Sequence, residues 1–309
     1  MIEGSGFVRT DDAGNQTTFR RQVIVGAHYD TIITAEQAAA EAVEETATSP
    51  RPGIVSPTLA DFNGIQDNAS GVAALLTVAR EMKAYQFGYD VILVAFGAGS
   101  SEQAGARFFA SQMSSDEIAA TDVMYCIDSI YAGDKIYAHA GRNSILGGGR
   151  KDYEKRRKLY EVTDVFYDNL LYTRNRFMLH TNQASFLIEL ENFAEPVVYR
   201  EWTMNASDYV PFDELGIPIV FFESFDYSGK TMEAMKESQN PAFGATGGMI
   251  RGTNFDSSGY LEQLLNTSRA ATDAENERPA ADQLTRRINN TAFVILEAIA
   301  KGVPDAEAR

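Results

Sequence analysis

One histidine and two aspartates stand where apolar runs end or a helix begins, and these residue types can bind a metal. His28 ends an apolar run that starts at Val23, Asp67 precedes a helical pattern, and Asp128 follows a second apolar run. An imidazole nitrogen and carboxylate oxygens are donors that zinc accepts. An unpaired carboxylate after a buried strand is costly, so Asp128 indicates a cation or hydrogen-bond donors nearby. Spacing alone does not distinguish metal binding from a purely structural role for each of these three residues.

The neighbours of these residues suggest local roles. Asp30 lies two residues after His28, on the same side of an extended chain. Its carboxylate could accept a hydrogen bond from the second imidazole nitrogen, which would fix the tautomer and raise the basicity of the ligating nitrogen. Asp67 and Asn68 could instead cap the helix that begins near Ser70, because such side chains satisfy free amides at helix starts.

Apolar runs and helical patterns alternate along the chain. Four runs predict strands of a covered, largely parallel sheet: Gln22 to Ala27, Asp90 to Phe96, Met124 to Ile127 and Ile217 to Phe222. Helical patterns cover Ser70 to Tyr85, Gln103 to Met113 and Leu284 to Ile299. In the first helix we expect a buried stripe of Val72, Leu75, Leu76, Ala79 and Met82. The alternation predicts an α/β fold with ligands at the carboxyl ends of the strands.

Length and composition favour one globular domain. The 309 residues, 44% of them hydrophobic, can bury a full core. We expect a single domain over 1–309 with a surface insertion at about 31–60, which includes a helix candidate at 35–47, and a loop-rich region at about 228–256. The oligomeric state is not indicated.

Net charge and hydropathy restrict the classes of binding partner and the cellular compartment that we expect. The net charge of −16 argues against nucleic acid and anionic membranes as partners. No apolar run approaches the ~18 residues of a membrane span. We therefore expect a soluble protein, cytoplasmic by default, with secretion open if a leader once preceded Met1.

Three further features favour structural roles. The basic stretch Arg150 to Lys158 has acids interleaved, which favours a solvated helix face over an interaction patch. Cys126 lies in an apolar strand, so we expect a small buried hydrophobe rather than a nucleophile. The three glycines at 147–149 lack the spacing and the following Lys-Ser or Lys-Thr of a phosphate loop.

A series of motifs resembles the M28 family of dinuclear zinc aminopeptidases. They are Gly26 to Asp30, Asp67 to Leu76, Val94 to Ala98, Gly105 to Phe109, Asp128, Ser207 to Phe212 and Gly216-Ile217-Pro218. The similarity runs from about residue 20 to about 265. It implies a phosphorylase-like zinc-peptidase fold, α/β with three α/β/α layers and a mixed, mostly parallel central sheet. It also implies zinc as the cofactor and a peptide or protein N-terminus as the ligand.

The same resemblance assigns roles to individual residues. His28 and Asp128 would bind the first zinc, Asp67 would bridge two zinc ions, and Asp30 would support His28. The family pattern then requires two adjacent glutamates after Phe-Gly-Ala, the first a general base and the second a ligand of the second zinc.

Three positions depart from this pattern. Gly99 and Ser100 stand where the two glutamates are expected, and Gly252 stands where a histidine would bind the second zinc. The resemblance therefore implies one zinc ion at most, with the second site lost, and a catalytically impaired or inactive homologue.

Two alternatives stay open. In the first, Glu102 is a displaced base or ligand in an active metal-dependent aminopeptidase. In the second, the chain is a non-catalytic module that binds peptides or proteins. The glutaminyl-cyclase branch shares the fold and uses one zinc, but the same replacements count against it. His139, expected at the surface end of a strand, and His180 fit neither missing position, and we expect both to be structural.

Overall fold

The computed structural model describes residues 1–33, 55–146, 150–181, 205–228, 231, 234–266 and 282–303, with four short backbone strands between these ranges. Its strands are β1 (Phe7–Thr10), β2 (Gln16–Phe19), β3 (Gln22–His28), β4 (Asp90–Phe96), β5 (Thr121–Ile127), β6 (Lys135–Ala140), β7 (Ile145–Leu146), β8 (Arg150–Lys151), β9 (Leu179–Thr181), β10 (Ser185–Ile188), β11 (Val197–Arg200), β12 (Ile219–Phe225), β13 (Thr272–Asp273) and β14 (Arg278–Pro279). Its α-helices are α1 (Ser70–Glu81), α2 (Ala104–Gln112), α3 (Ser115–Ala120), α4 (Tyr153–Asp168), α5 (Leu171–Arg174), α6 (Val210–Glu214), α7 (Ser258–Leu265) and α8 (Gln283–Ala300).

Six strands form the central sheet in the order β4-β3-β5-β12-β6-β9. The first four are parallel to one another, β6 runs antiparallel to β12, and β9 is parallel to β6. The four strands predicted from apolar runs correspond to β3, β4, β5 and β12. The mixed, mostly parallel sheet is therefore confirmed.

Alternate residues of the strands face two separate apolar layers, because side chains of an extended chain point to opposite faces. Val23 and Val25 pack with residues of α1, α4 and α8, whereas Ile24 and Cys126 pack with residues of α2 and α6. This arrangement is the expected three-layer α/β/α fold. Burial raises the pKa of the Cys126 thiol well above its ordinary value, as suits a small hydrophobe in the core.

Of the stripe predicted for helix α1, Leu75 and Met82 are buried, but Leu76 is exposed. Leu76 is 63% exposed, while Ala74, Leu75 and Val78 are buried. The buried residues follow helical spacing from Gly71, and each residue advances about 100° round the axis, so Leu76 faces away from the sheet. Periodicity identified the helix, but packing against the sheet and α8 selected its buried face.

The basic stretch at 150–158 is not a fully solvated helix face. Arg156 and Lys158, both in α4, are buried. The Lys158 ammonium donates to Glu161 Oε2 at 2.6 Å and to the carbonyl of Gly302 at 2.9 Å. Burial lowers the pKa of Lys158 although Glu161 opposes that shift. The prediction was wrong because α4 packs against α8 and because internal acceptors bind the buried ammonium.

His139 is not at the surface end of a strand. It is fully buried within β6, which continues to Ala140 and lies between β12 and β9. Its Nε2 lies 2.9 Å from Glu223 Oε1. His180, in β9, is half-buried, and its ring centroid lies 5.3 Å from that of Tyr137.

Some predicted features lie outside the described residues. These are the helix candidate at 35–47 and the glycines at 147–149, so the insertion and the single-domain assignment stay predictions. The described part of the loop-rich region contains a 3-10 helix, Pro241–Thr246, in which Phe243 packs against Phe255 and Tyr260. Among the described residues, no helix combines the length and apolar character needed to span a membrane.

Candidate metal centre

Three predicted side chains meet at the carboxyl edge of the sheet. His28 is the last residue of β3, Asp128 directly follows β5, and Asp67 lies in the turn Ile65–Ala69 before α1. Since β3 and β5 are parallel neighbours, their carboxyl ends lie together. His28 Nε2 is 3.4 Å from Asp67 Oδ1 and 3.5 Å from Asp128 Oδ1. One donor atom from each residue lies within 4.8 Å of the others, so the three could hold one metal ion.

The donor set suits a zinc ion with an open coordination position. One nitrogen and two carboxylate oxygens make three protein ligands, the number typical of catalytic zinc sites. His28 Nδ1 lies 2.9 Å from the backbone carbonyl oxygen of Asp30. In the neutral tautomer that donates to this carbonyl, the Nε2 lone pair faces two carboxylates, and a cation between them makes that arrangement favourable.

The electrostatics of the three groups also favour a bound cation. Burial lowers the pKa of His28, but the charges of Asp128 and Asp67 outweigh it and raise that pKa to about 10. Burial raises the pKa of Asp67 to about 6, and the charge of Asp128 adds to the effect. Burial would also raise the pKa of Asp128, yet His28 and Arg251 bring it well below its ordinary value. The imidazolium thus supplies positive charge that a metal would supply after displacing the proton.

Asp30 supports His28 through its backbone rather than through its carboxylate. The carboxylate Oδ1 is 3.9 Å from His28 Nδ1, beyond hydrogen-bond distance. It accepts instead from the Gly99 amide at 2.7 Å, while Oδ2 accepts from the Ser100 amide at 3.0 Å and from the Ser100 hydroxyl. The prediction that the Asp30 carboxylate bonds His28 was therefore wrong. The backbone carbonyl of Asp30 makes that contact, because the carboxylate accepts from two backbone amides after β4.

The turn after β4 leaves no space for a side chain at position 99. A Cβ on Gly99 would lie 2.5 Å from Cβ and Cγ of His28. The Ser100 hydroxyl is already bonded to Asp30. Gly252, at the third position that departs from the family pattern, has a φ of 70°, which favours glycine.

Asn68, next to Asp67, caps the helix start as one of the sequence interpretations predicted. Its Oδ1 accepts from the Gly71 amide at 3.1 Å and from the Ser129 amide at 2.9 Å. Its amide nitrogen donates to the carbonyl of Ile127 at 2.9 Å. Asn68 thereby ties the turn that carries Asp67 to the end of β5.

The structure does not bring Glu102 to the three metal-binding candidates. It is exposed in the turn at 101–103 ahead of α2, with a φ of 55°. Its backbone carbonyl accepts a hydrogen bond from Arg107 Nε at 3.1 Å. A role for Glu102 as base or ligand stays a prediction.

Asp208 is a site residue whose role the sequence did not indicate. It lies just before α6 and is fully buried, and within the described part of the chain neither carboxylate oxygen has a hydrogen-bond partner. Burial raises its pKa to about 7; Asp128 adds to this shift and His28 opposes it. Such a carboxyl can carry a proton near neutral pH. The polar pair Ser207-Asp208 before an apolar helix start was the available signal.

Arg251 is a second residue that sequence reasoning missed. Its Nε lies 3.0 Å from Glu237 Oε1, Nη1 lies 3.9 Å from Asp128 Oδ2, and Nη2 lies 3.8 Å from Glu223 Oε2. The side chain is 19% exposed. No local pattern links this arginine with carboxylates from distant segments, so only the fold reveals the contact.

The chain matches the family model described as Peptidase family M28 over residues 12–241. A curated relative, the alkaline phosphatase isozyme conversion protein of Escherichia coli (strain K12), is 24% identical over 246 residues, or 79% of this chain and 61% of the relative. The chain thus spans less than two thirds of that relative's length.

Solved structures with the same fold include two of known activity. The zinc aminopeptidase BSAP of Bacillus subtilis superposes with a TM-score of 0.51 at 17% identity, over 91% of this chain and 46% of that one. A glutaminyl cyclase of Porphyromonas gingivalis gives a TM-score of 0.50 at 14% identity, over 97% of this chain and 84% of that one. These identities show a shared fold alone. Because the family match covers more than half of its length, the chain belongs to peptidase family M28.

Proposed function

We propose that this chain is a single-metal member of family M28 that binds peptide or protein N-termini and hydrolyses them slowly or not at all. The observation that carries the proposal is the grouping of His28, Asp67 and Asp128 around space for one ion. Zinc is the metal that this donor set favours, and the zinc aminopeptidase BSAP supports the choice.

The residues around the centre account for weak turnover. When bound, zinc would polarise a carbonyl and lower the pKa of a bound water to about 7. Peptide hydrolysis also requires a group that takes and returns a proton, and its loss costs a factor of ~10²–10⁴ in rate. Gly99 has no side chain, and Ser100 is bonded to Asp30. Neither position supplies a base.

Asp208 favours slow peptide hydrolysis over complete inactivity. Its carboxyl is buried, lacks partners among the described residues, and has a pKa raised to about 7 by burial and by nearby carboxylates. It could accept a proton and return it to a leaving amine. This arrangement differs from the alternative based on Glu102, whose side chain is exposed.

Metal content and turnover test the proposal together. Zinc-loaded, dialysed protein should contain one zinc per chain by elemental analysis and release little or no chromophore from amino-acid nitroanilides. Any residual release should fall with Asp208→Asn and should persist in Glu102→Ala, the matched carboxylate control. Two zinc ions per chain with rapid turnover would contradict the proposal. Loss of turnover in Glu102→Ala alone would instead support the displaced-base alternative.

A further inference from the structure

We propose that Arg251 acts as a built-in cation in place of a second divalent metal ion and thereby limits the centre to one ion. The inference rests on the proposed single-metal function and supplies a physical cause for it.

The metal centre is surrounded by more carboxylates than one metal ion requires. Besides the two aspartates that face His28, four acidic residues are buried around it: Asp208, Glu223, Glu237 and Asp256. Hydrogen bonds connect Asp256 and Glu237 to the turn that carries Asp67. Asp256 accepts hydrogen bonds from the amides of Gln66 and Asp67 at 2.7 and 3.0 Å, and Gln66 Nε2 donates to Glu237 at 3.0 Å. Buried negative charge of this density needs cations or protons.

Arg251 occupies the position from which one cation can face several of these groups. Its three guanidinium nitrogens lie 3.0 to 3.9 Å from oxygens of Glu237, Glu223 and Asp128. A guanidinium is planar and stays charged, so it can face three carboxylates without losing its proton.

Glu237 holds the arginine in this position. One carboxylate oxygen accepts from the amides of Ile250 and Arg251 at 2.5 and 2.8 Å, and the other accepts from Arg251 Nε at 3.0 Å. Glu237 therefore binds Arg251 through both the backbone and the side chain of the arginine. Such charge-assisted bonds fix the guanidinium beside Asp128 rather than leaving it free to move into solvent.

A second divalent ion would have to compete with this guanidinium. It would bind carboxylate oxygens at about 2 Å, while the arginine remained a few ångströms from the same oxygens. The metal ion and the guanidinium are both positive and would repel each other at that separation. They would also share the same carboxylates, so each would be stabilised less than if it were alone. An arginine that serves only to stabilise the fold would leave the number of bound ions unchanged when replaced.

Calorimetric titration of metal-free protein with Zn²⁺ and with Mn²⁺ tests this difference. Wild-type protein should bind one ion. Arg251→Met should bind the first ion about tenfold more tightly, because a positive charge next to Asp128 is gone, and should bind a second, weaker ion at the freed carboxylates. Arg251→Lys keeps the charge and should bind one ion. Arg107→Met, which removes an exposed arginine paired with Glu214 at 3.1 Å, is the matched control and should match wild type.

The outcomes separate this inference from the proposed function. One ion in wild-type protein, with unchanged affinity and number in Arg251→Met, would overturn the role of Arg251 and leave the single-metal function standing. Two ions or none in wild-type protein would contradict the single-metal function itself. If Arg251→Met does not fold, Arg251→Gln removes the positive charge while keeping a hydrogen-bond donor for the Glu237 carboxylate. The first ion should still bind more tightly in that variant, and wild-type affinity there would overturn the inference.

Discussion

The space beside the turn at Gly99 is filled by the imidazole of His28. A Cβ at position 99 would lie 2.5 Å from Cγ and 2.8 Å from Nδ1 of that ring. The two residues are also linked through Asp30, whose carboxylate accepts from the Gly99 amide and whose carbonyl contacts His28 Nδ1. The absence of a side chain at position 99 is therefore part of how the histidine is positioned.

Gly99→Ala should weaken zinc binding at least about tenfold, because the new methyl group must displace the imidazole and misplace its donor atom. Calorimetric titration of metal-free protein with zinc measures the change. Gly259→Ala is the control, since a Cβ there meets nothing within 4 Å. Gly259 lies in α7, so the control should keep wild-type affinity and gain about 0.5–1 kcal/mol of stability. Wild-type affinity in Gly99→Ala would refute the steric argument.

Zinc should stabilise the fold, and this effect should depend on His28. At a free zinc concentration 100 times Kd, a ligand that binds only the folded state adds about 2.7 kcal/mol to the free energy of unfolding. Thermal melts with chelator and with zinc should therefore differ in wild-type protein and agree in His28→Ala. His180→Ala, a half-buried histidine outside the three-residue group, should retain the zinc effect. An equal zinc effect in both variants would place the metal elsewhere.

Asp208→Asn should gain stability relative to wild type as pH rises from 5 to 8 in metal-free protein. Burial raises the folded-state pKa of Asp208 to about 7, above its unfolded value near 3.8. Between these values the folded state binds more protons, so its stability falls as pH rises, and asparagine removes that fall. Urea unfolding across this range measures the difference. A constant difference between the two proteins would show that Asp208 does not titrate in this window.

Asp226→Asn should show the opposite pH dependence. Burial raises the pKa of Asp226, but hydrogen bonds from Lys135 and Ser228 outweigh it and bring that pKa below 3.8. Its contribution to stability is therefore complete above pH 3.8 and is lost as pH falls through the folded-state pKa. The variant should lose about 1.5–3 kcal/mol at pH 7, as expected for a hydrogen bond to a charged group, and less near pH 2.

Urea unfolding from pH 2 to 7 measures that prediction. Asp12→Asn, at an exposed turn position, serves as the control and should change little. A loss of stability that stays the same at pH 2 would mean that the Lys135 ammonium, 2.7 Å from Asp226 Oδ1, does not stabilise the ionised form.

Sequence patterns located four of the six strands of the central sheet and the three metal-binding candidates, because these depend on residues close together in the chain. The apolar runs became β3, β4, β5 and β12, and parallel strands bring their carboxyl ends, with His28 and Asp128, to one edge. The same patterns failed for Leu76, His139 and Lys158. Which face of a helix or strand is buried depends on the elements that later pack against it.

The sequence by itself determined the α/β fold, the family to which the chain belongs, and the identities of His28, Asp67 and Asp128 as residues able to bind a metal. Only the tertiary structure decided that Asp30 uses its carbonyl, that Asp208 is buried without a donor among the described residues, and that Arg251 faces Asp128, Glu223 and Glu237. These contacts join segments far apart in the chain. Their energies depend on burial and on distances between charges, which no local spacing of residues specifies.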